Sequence, residues 1–221
     1  TEGGEDRRHA RILLKELKPN TCGVKIGKQM FTAYGPDWVR EVQEQGFPVF
    51  LDLKFHDIPN TVAQAVTAAA NLGVSIVNVH ASGGLNMMNA AKEALSRTEN
   101  KPWLIGVTVL TSMQDSDLQQ IGVPGTVRAQ AQRLAELCHL AQLDGVVCSA
   151  YEASTIKAEF PDLKCICPGI RLPEQKLDDQ NRVASPSEAL ALGADILVMG
   201  RSIWQSKNPI EQLHQVIADI G

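Results

Sequence analysis

The chain has 221 residues, 44% hydrophobic and 21% charged, an ordinary globular composition with room for one substantial domain. Its formal net charge of −4 gives bulk electrostatics no part in nucleic-acid binding, so any phosphate recognition must be local. No apolar run approaches the roughly eighteen residues that span a membrane and no signal peptide is visible, so a cytoplasmic protein with neither a membrane nor a nucleic-acid partner is expected.

The chain opens on a polar stretch, Thr1 to Arg8, which runs into a helical pattern near 5–18. Short apolar runs then alternate with amphipathic stretches. The predicted strands are 23–27 (GVKIG), 48–54 (PVFLDLK), 75–81 (SIVNVHA), 102–110 (PWLIGVTVL), 145–150 (GVVCSA), 164–170 (KCICPGI) and 195–200 (DILVMG). Most are apolar throughout and β-branched, as parallel strands covered on both faces should be. Helix-length segments fall near 36–45, 60–72, 85–97, 124–142, 152–159, 186–193 and 208–219. Ser185-Pro186-Ser187-Glu188 is a capping-box pattern with Pro at the first helical position, and Asn208-Pro209-Ile210-Glu211 repeats that logic. Gly46, Gly73 and Gly193 stand where helices should end.

This βαβα rhythm in a single domain, residues 1–221, means a (β/α)8 barrel or an open doubly wound sheet. No GxGxxG follows the first strand, which weakens the dinucleotide-binding sheet. Lys25, Asp52, Lys54, His80, Thr111, Arg171 and Arg201 gather at the C-terminal ends of the strands, the face on which a barrel builds its active site. Seven strands are legible where a closed barrel needs eight; the first strand, before the helix near 5–18, is expected to be absent from these 221 residues.

Five cysteines, Cys22, Cys138, Cys148, Cys165 and Cys167, sit in apolar runs. An odd number so placed reads as reduced core thiols. Cys165 and Cys167 share one strand face, but no Cys or His cluster completes a metal site.

The densest chemical signal is Leu51-Asp52-Leu53-Lys54-Phe55-His56-Asp57-Ile58-Pro59-Asn60-Thr61. Strand periodicity places Asp52 and Lys54 on one face, with Asp57 beyond the strand end where Pro59 opens a helix. Charges inside a parallel barrel are costly unless paired, and an alternating Asp–Lys–Asp set supplies the pairing. Lys25 adds a second inward cation from the adjacent strand.

This run resembles the D-x-K-x-x-D-I-P-x-T motif of the orotidine 5′-phosphate decarboxylases. Further resemblances follow in family order over almost the whole chain: Val24-Lys25-Ile26-Gly27, His80-Ala81-Ser82-Gly83-Gly84, Leu110-Thr111-Ser112, Pro168-Gly169-Ile170-Arg171, Asp179-Gln180 and Gly200-Arg201-Ser202. The resemblance implies a cofactor-free decarboxylation of orotidine monophosphate to UMP. It makes Lys25, Asp52, Lys54 and Asp57 a charged network, Lys54 the proton donor to C6, and Asp52 the neighbour of the departing carboxylate. It gives the 5′-phosphate to Arg171, Gln180, Gly200 and Arg201, and the pyrimidine to Thr111, with Ser112 second. It also implies a homodimer in which Asp57 and Thr61 reach the neighbouring subunit's site, with Ile58 a further substrate contact. The loop from Leu172 to Arg182 is expected to cover the phosphate as a lid. The family's first strand ends in an Asp that contacts the ribose; no such strand is visible here, and Asp6 is not given that role.

His80 faces the site as either a structural or a functional histidine, and His56 is expected to point off the catalytic face. His9, His139 and His214 fall on helices as surface or packing residues, and Met87 and Met88 belong to the core. Two other readings compete. One is a Mg²⁺-dependent pentulose-phosphate decarboxylase or hexulose-phosphate synthase sharing the D-x-K-x-x-D core. The other is a barrel that binds a nucleotide without turning it over.

Overall fold

The computed structural model describes residues 2–172 and 184–221, with side chains from Arg7 onward. Seven strands form one parallel sheet whose spatial order is the chain order: β1 (Val24–Gly27), β2 (Val49–Phe55), β3 (Ile76–His80), β4 (Trp103–Val107), β5 (Gly145–Val147), β6 (Lys164–Pro168) and β7 (Ile196–Val198). Helices α1 (Glu2–Glu16), α2 (Lys28–Glu44), α3 (Pro59–Asn71), α4 (Gly84–Ser96), α5 (Asp115–Gln120), α6 (Val127–Leu140), α7 (Ala150–Glu159), α8 (Pro186–Ala191), α9 (Arg201–Trp204) and α10 (Pro209–Ile220) intervene. A 3₁₀ turn, Ala81–Gly83, joins β3 to α4. The sheet is a nearly closed barrel of the (β/α)8 type; among the described residues β1 and β7 are its two unpaired edges.

Alternation along the strands sorts side chains into two apolar bodies. Leu51, Val77, Leu104, Val146 and Cys165 pack outward under the helices with Val66, Met88, Ala135 and Ile156. Phe50, Ile105 and Ile166, with Ile76, Val147, Ile196 and Val198, fill the inside. Met87 and Met88 lie in the core, as read from the sequence. Gly106 sets how closely α6 approaches β4, because a Cβ there would stand 2.2 Å from the Cys138 sulfur.

The N-terminal ends of the strands are clasped twice in the same way. Asp144, just before β5, accepts from the Leu104 N–H at 2.8 Å and pairs with Lys92 of α4 at 3.1 Å. Asp195, just before β7, accepts from the Cys165 N–H at 2.7 Å and pairs with Lys157 of α7 at 2.8 Å.

Most element boundaries agree with the sequence reading to a few residues. The Ser185 capping box is present, and the Asn208 side chain accepts from the Glu211 N–H at 3.3 Å. Four elements differ, one of them the short helix α9, which falls in none of the predicted segments. Helix α2 begins at Lys28 rather than near 36, broken by Gly35 at φ 61°. The segment 108–112 leaves the sheet, so β4 ends at Val107. The stretch before α6 holds a separate short helix, α5, instead of extending one long helix from 124.

Candidate active site

Three neighbouring strands bring the charged side chains together. Leu51 and Leu53 belong to the sheet–helix core, which leaves Asp52 and Lys54 on the other face of β2, beside Lys25 of β1. Oδ2 of Asp52 lies 3.0 Å from Lys25 Nζ. Oδ1 of Asp52 accepts from Lys54 Nζ at 2.6 Å and from Asn78 Nδ2 at 2.7 Å. Burial pushes the Asp52 carboxyl up, but the charges of Lys25 and Lys54 and the donors of Lys54 and Asn78 outweigh it and hold the group down at about 2. The carboxylate is therefore ionised across the working pH range.

The local backbone is not a plain strand. Lys54 has φ +53°, a left-handed conformation that costs an L-residue roughly 1–2 kcal/mol. The register of β2 on β3 shifts between Leu51 and Phe55, the signature of a bulge, which re-aims side chains near sites.

His80 ends β3 on the same face as Asn78. Burial, then the neighbouring His56, Lys28 and Lys54, bring its imidazole down to about 4, with Asp52 opposing, so it is neutral at neutral pH. The His56 ring, exposed, lies 5.6 Å from that of His80.

Asp57 stands apart. Among the described residues it joins neither Lys25 nor Lys54; its carboxylate accepts from the Ile58 N–H at 2.7 Å. Residues 56–61 are all exposed, including Thr61, and Ile58 is 66% exposed.

Other candidates lie past the ends of later strands. Thr111 is buried in the turn after β4, and Ser112 beside it is exposed. Arg171 is buried just beyond β6, its N–H donating to the Ala184 carbonyl at 3.0 Å. Gly200 precedes α9, which opens with Arg201, and a Cβ on Gly200 would meet open space. Ser202 Oγ donates to the Ile170 carbonyl at 3.5 Å, which draws the start of α9 to the end of β6 and so brings the two arginine-bearing segments side by side. Gln180, Asp179 and the expected lid beyond Leu172 lie outside the described residues.

Asn78 was not singled out from the sequence, although its signal was present. It is a polar residue in a run of Ile and Val, and alternation puts it on the same face as His80. Among the described residues no group of three or more His, Cys, Asp or Glu side chains is placed to hold a metal ion.

The fold and these residues define a parallel (β/α) barrel with a lysine–carboxylate–lysine chain on the face where such barrels perform chemistry. The profile of the orotidine 5′-phosphate decarboxylase / HUMPS family matches residues 5–216, and the chain belongs to that family. It is 51% identical over 210 residues to an orotidine 5′-phosphate decarboxylase of Idiomarina loihiensis, covering 95% of this chain and 91% of that one. It is 54% identical over 210 residues to one of Saccharophagus degradans, covering 95% and 88%. The crystal structure of orotidine 5′-phosphate decarboxylase from Lactobacillus acidophilus superposes with a TM-score of 0.85 at 31% identity, over 97% of this chain and 94% of that one.

Proposed function

We propose that this chain decarboxylates orotidine 5′-monophosphate to UMP in de novo pyrimidine biosynthesis, without a cofactor. The observation that carries the reading is the Asp52 carboxylate held between Lys25 and Lys54 at the strand ends of a barrel of this family. The C6–carboxylate bond breaks, its electron pair stays on C6, and Lys54 Nζ delivers a proton to that carbon. The ammonium first stabilises the developing negative charge and then quenches it. Asp52 faces the substrate carboxylate as a like charge, a repulsion relieved as CO₂ leaves. Lys25 keeps Asp52 ionised.

Phosphate binding falls to Arg171, Gln180, Gly200 and Arg201. The open space at Gly200 and the proximity of α9 to β6 support a site where backbone N–H groups and guanidinium groups meet one phosphate. Thr111 contacts the pyrimidine, with Ser112 second. Binding energy from the phosphate positions a ring whose reacting carbon is remote from it.

The protein acts as a homodimer with shared sites, Asp57 and Thr61 serving the partner, and Ile58 contacts substrate. Support comes from the unbroken exposure of 56–61 and from the separation of Asp57 from both lysines of its own chain. The chain forms one domain and works in the cytoplasm, a reading supported by five free cysteines.

The test is direct. Purified protein stripped by exhaustive chelation should convert orotidine 5′-monophosphate to equal amounts of UMP and CO₂. Loss of activity on chelation, restored by Mg²⁺, would transfer the chain to the metal-dependent reading. Binding of the nucleotide without turnover would leave only the non-catalytic one.

A further inference from the structure

We infer that Asn78 is the positioning residue of this site: its carboxamide clamps the left-handed backbone of Lys54 and the carboxylate of Asp52, and so sets where the Lys54 ammonium points. The inference rests on the proposed role of Lys54 as proton donor.

The argument starts from the sheet. β2 pairs with β3 through Phe50↔Ile76 and Leu51↔Val77, and next through Phe55↔Val79. Asp52, Leu53 and Lys54 therefore face a single residue, Asn78, across the break. Backbone groups in such a bulge lose their ladder partners, and a buried N–H without one is costly. The Lys54 N–H finds its partner in a side chain: it donates to Asn78 Oδ1 at 2.8 Å. The other end of the same carboxamide donates to Asp52 Oδ1 at 2.7 Å, the oxygen that also receives Lys54 Nζ.

One fully buried amide thus holds both the main chain that carries Lys54 and the carboxylate that its ammonium grips. The chemistry fixes the orientation of the amide, because an N–H must meet the oxygen and a carboxylate must meet the NH₂. It also fixes the residue type. Asp keeps the acceptor but sets a second carboxylate against Asp52. Leu and Val, which suit the rest of the strand, offer neither partner. The left-handed conformation of Lys54 persists only where its surroundings enforce it, and Asn78 is the contact that does so.

Two variants and three readouts test this. Asn78→Ala should lower kcat about 100-fold, the scale of a misplaced reacting group, while UMP still binds. In the same variant, amide hydrogen exchange at Lys54 should lose its protection while Leu51 and Val77 keep theirs. Asn78→Asp, nearly isosteric, should retain activity at low pH, where the new carboxyl is protonated and still donates to Asp52. Its kcat should fall as pH rises and the second charge appears. A kcat for Asn78→Ala near that of wild type would overturn the inference, as would unchanged exchange at Lys54 or a pH profile for Asn78→Asp parallel to wild type. If wild-type protein forms no UMP, the functional proposal fails, and the exchange measurement still decides whether Asn78 clamps Lys54. If Asn78→Ala does not fold, Asn78→Asp carries the test alone.

Discussion

Lys54 Nζ sits 2.6 Å from Oδ1 of Asp52, a residue only two places earlier on the same strand. A charge-assisted hydrogen bond of this length holds a flexible side chain in one place. If the ammonium swings away, the buried carboxylate is left to Lys25 and Asn78 alone.

The first prediction concerns that ammonium. Lys54→Ala should abolish decarboxylation while UMP binding survives, because the phosphate grip lies elsewhere. Single-turnover measurement with orotidine 5′-monophosphate is the check. Turnover within about tenfold of wild type would remove Lys54 from the role of proton donor.

Asp52 makes the fold sensitive to acid in a defined window. Its folded pKa of about 2 lies below the ordinary value of about 3.9 for an unfolded Asp. Between the two, the unfolded chain binds more protons, so stability falls as pH falls. The contribution, on the order of 2 kcal/mol, is fully present above the unfolded value and lost as pH drops through the folded one. Urea unfolding of wild type and Asp52→Asn, compared at matched pH, should show a gap that narrows from about pH 5 towards pH 2. A gap constant across that range would refute the assignment.

Arg201 is predicted to read the phosphate. Arg201→Ala should weaken UMP about ten- to a hundredfold and spare uridine, since a charged hydrogen bond contributes roughly 1.5–3 kcal/mol. Calorimetric titration of both ligands separates the cases; equal losses would make Arg201 a structural residue.

The shared site predicts complementation. Lys54→Ala and Asp57→Ala subunits should each be inactive alone. In a mixed dimer one site collects both lesions and the other is intact. With random exchange, activity should approach about a quarter of wild type per subunit. No recovery, with subunit exchange confirmed independently, would place Asp57 in the service of its own chain.

Much of this was legible in the sequence, because parallel strands leave long apolar runs and helix ends leave glycines. Gly46, Gly73 and Gly193 all adopt positive φ where helices were expected to stop. Asp52 and Lys54 were placed on one face by alternation alone, and their contact follows. What escaped depended on tertiary context. The short α5 has only six residues and a polar sequence, so periodicity could not find it. Gly35 breaks α2 within the helix, a conformation no window average reports. The bulge at Lys54 and the clamp of Asn78 exist only because β3 lies against β2, twenty-four residues away in the chain for the Lys54–Asn78 pair.

Asp144 and Asp195 give the barrel an uneven tolerance to change. Each anchors a neighbouring strand's main chain and a helix lysine at the end opposite the charged cluster. Loops at the far rim can therefore be exchanged, lengthened or retuned for a new ligand while the strands keep their order. A replacement at either aspartate spreads instead through a sheet, a helix and the joint between them. Anyone borrowing this scaffold for other chemistry has a free rim and a fixed base.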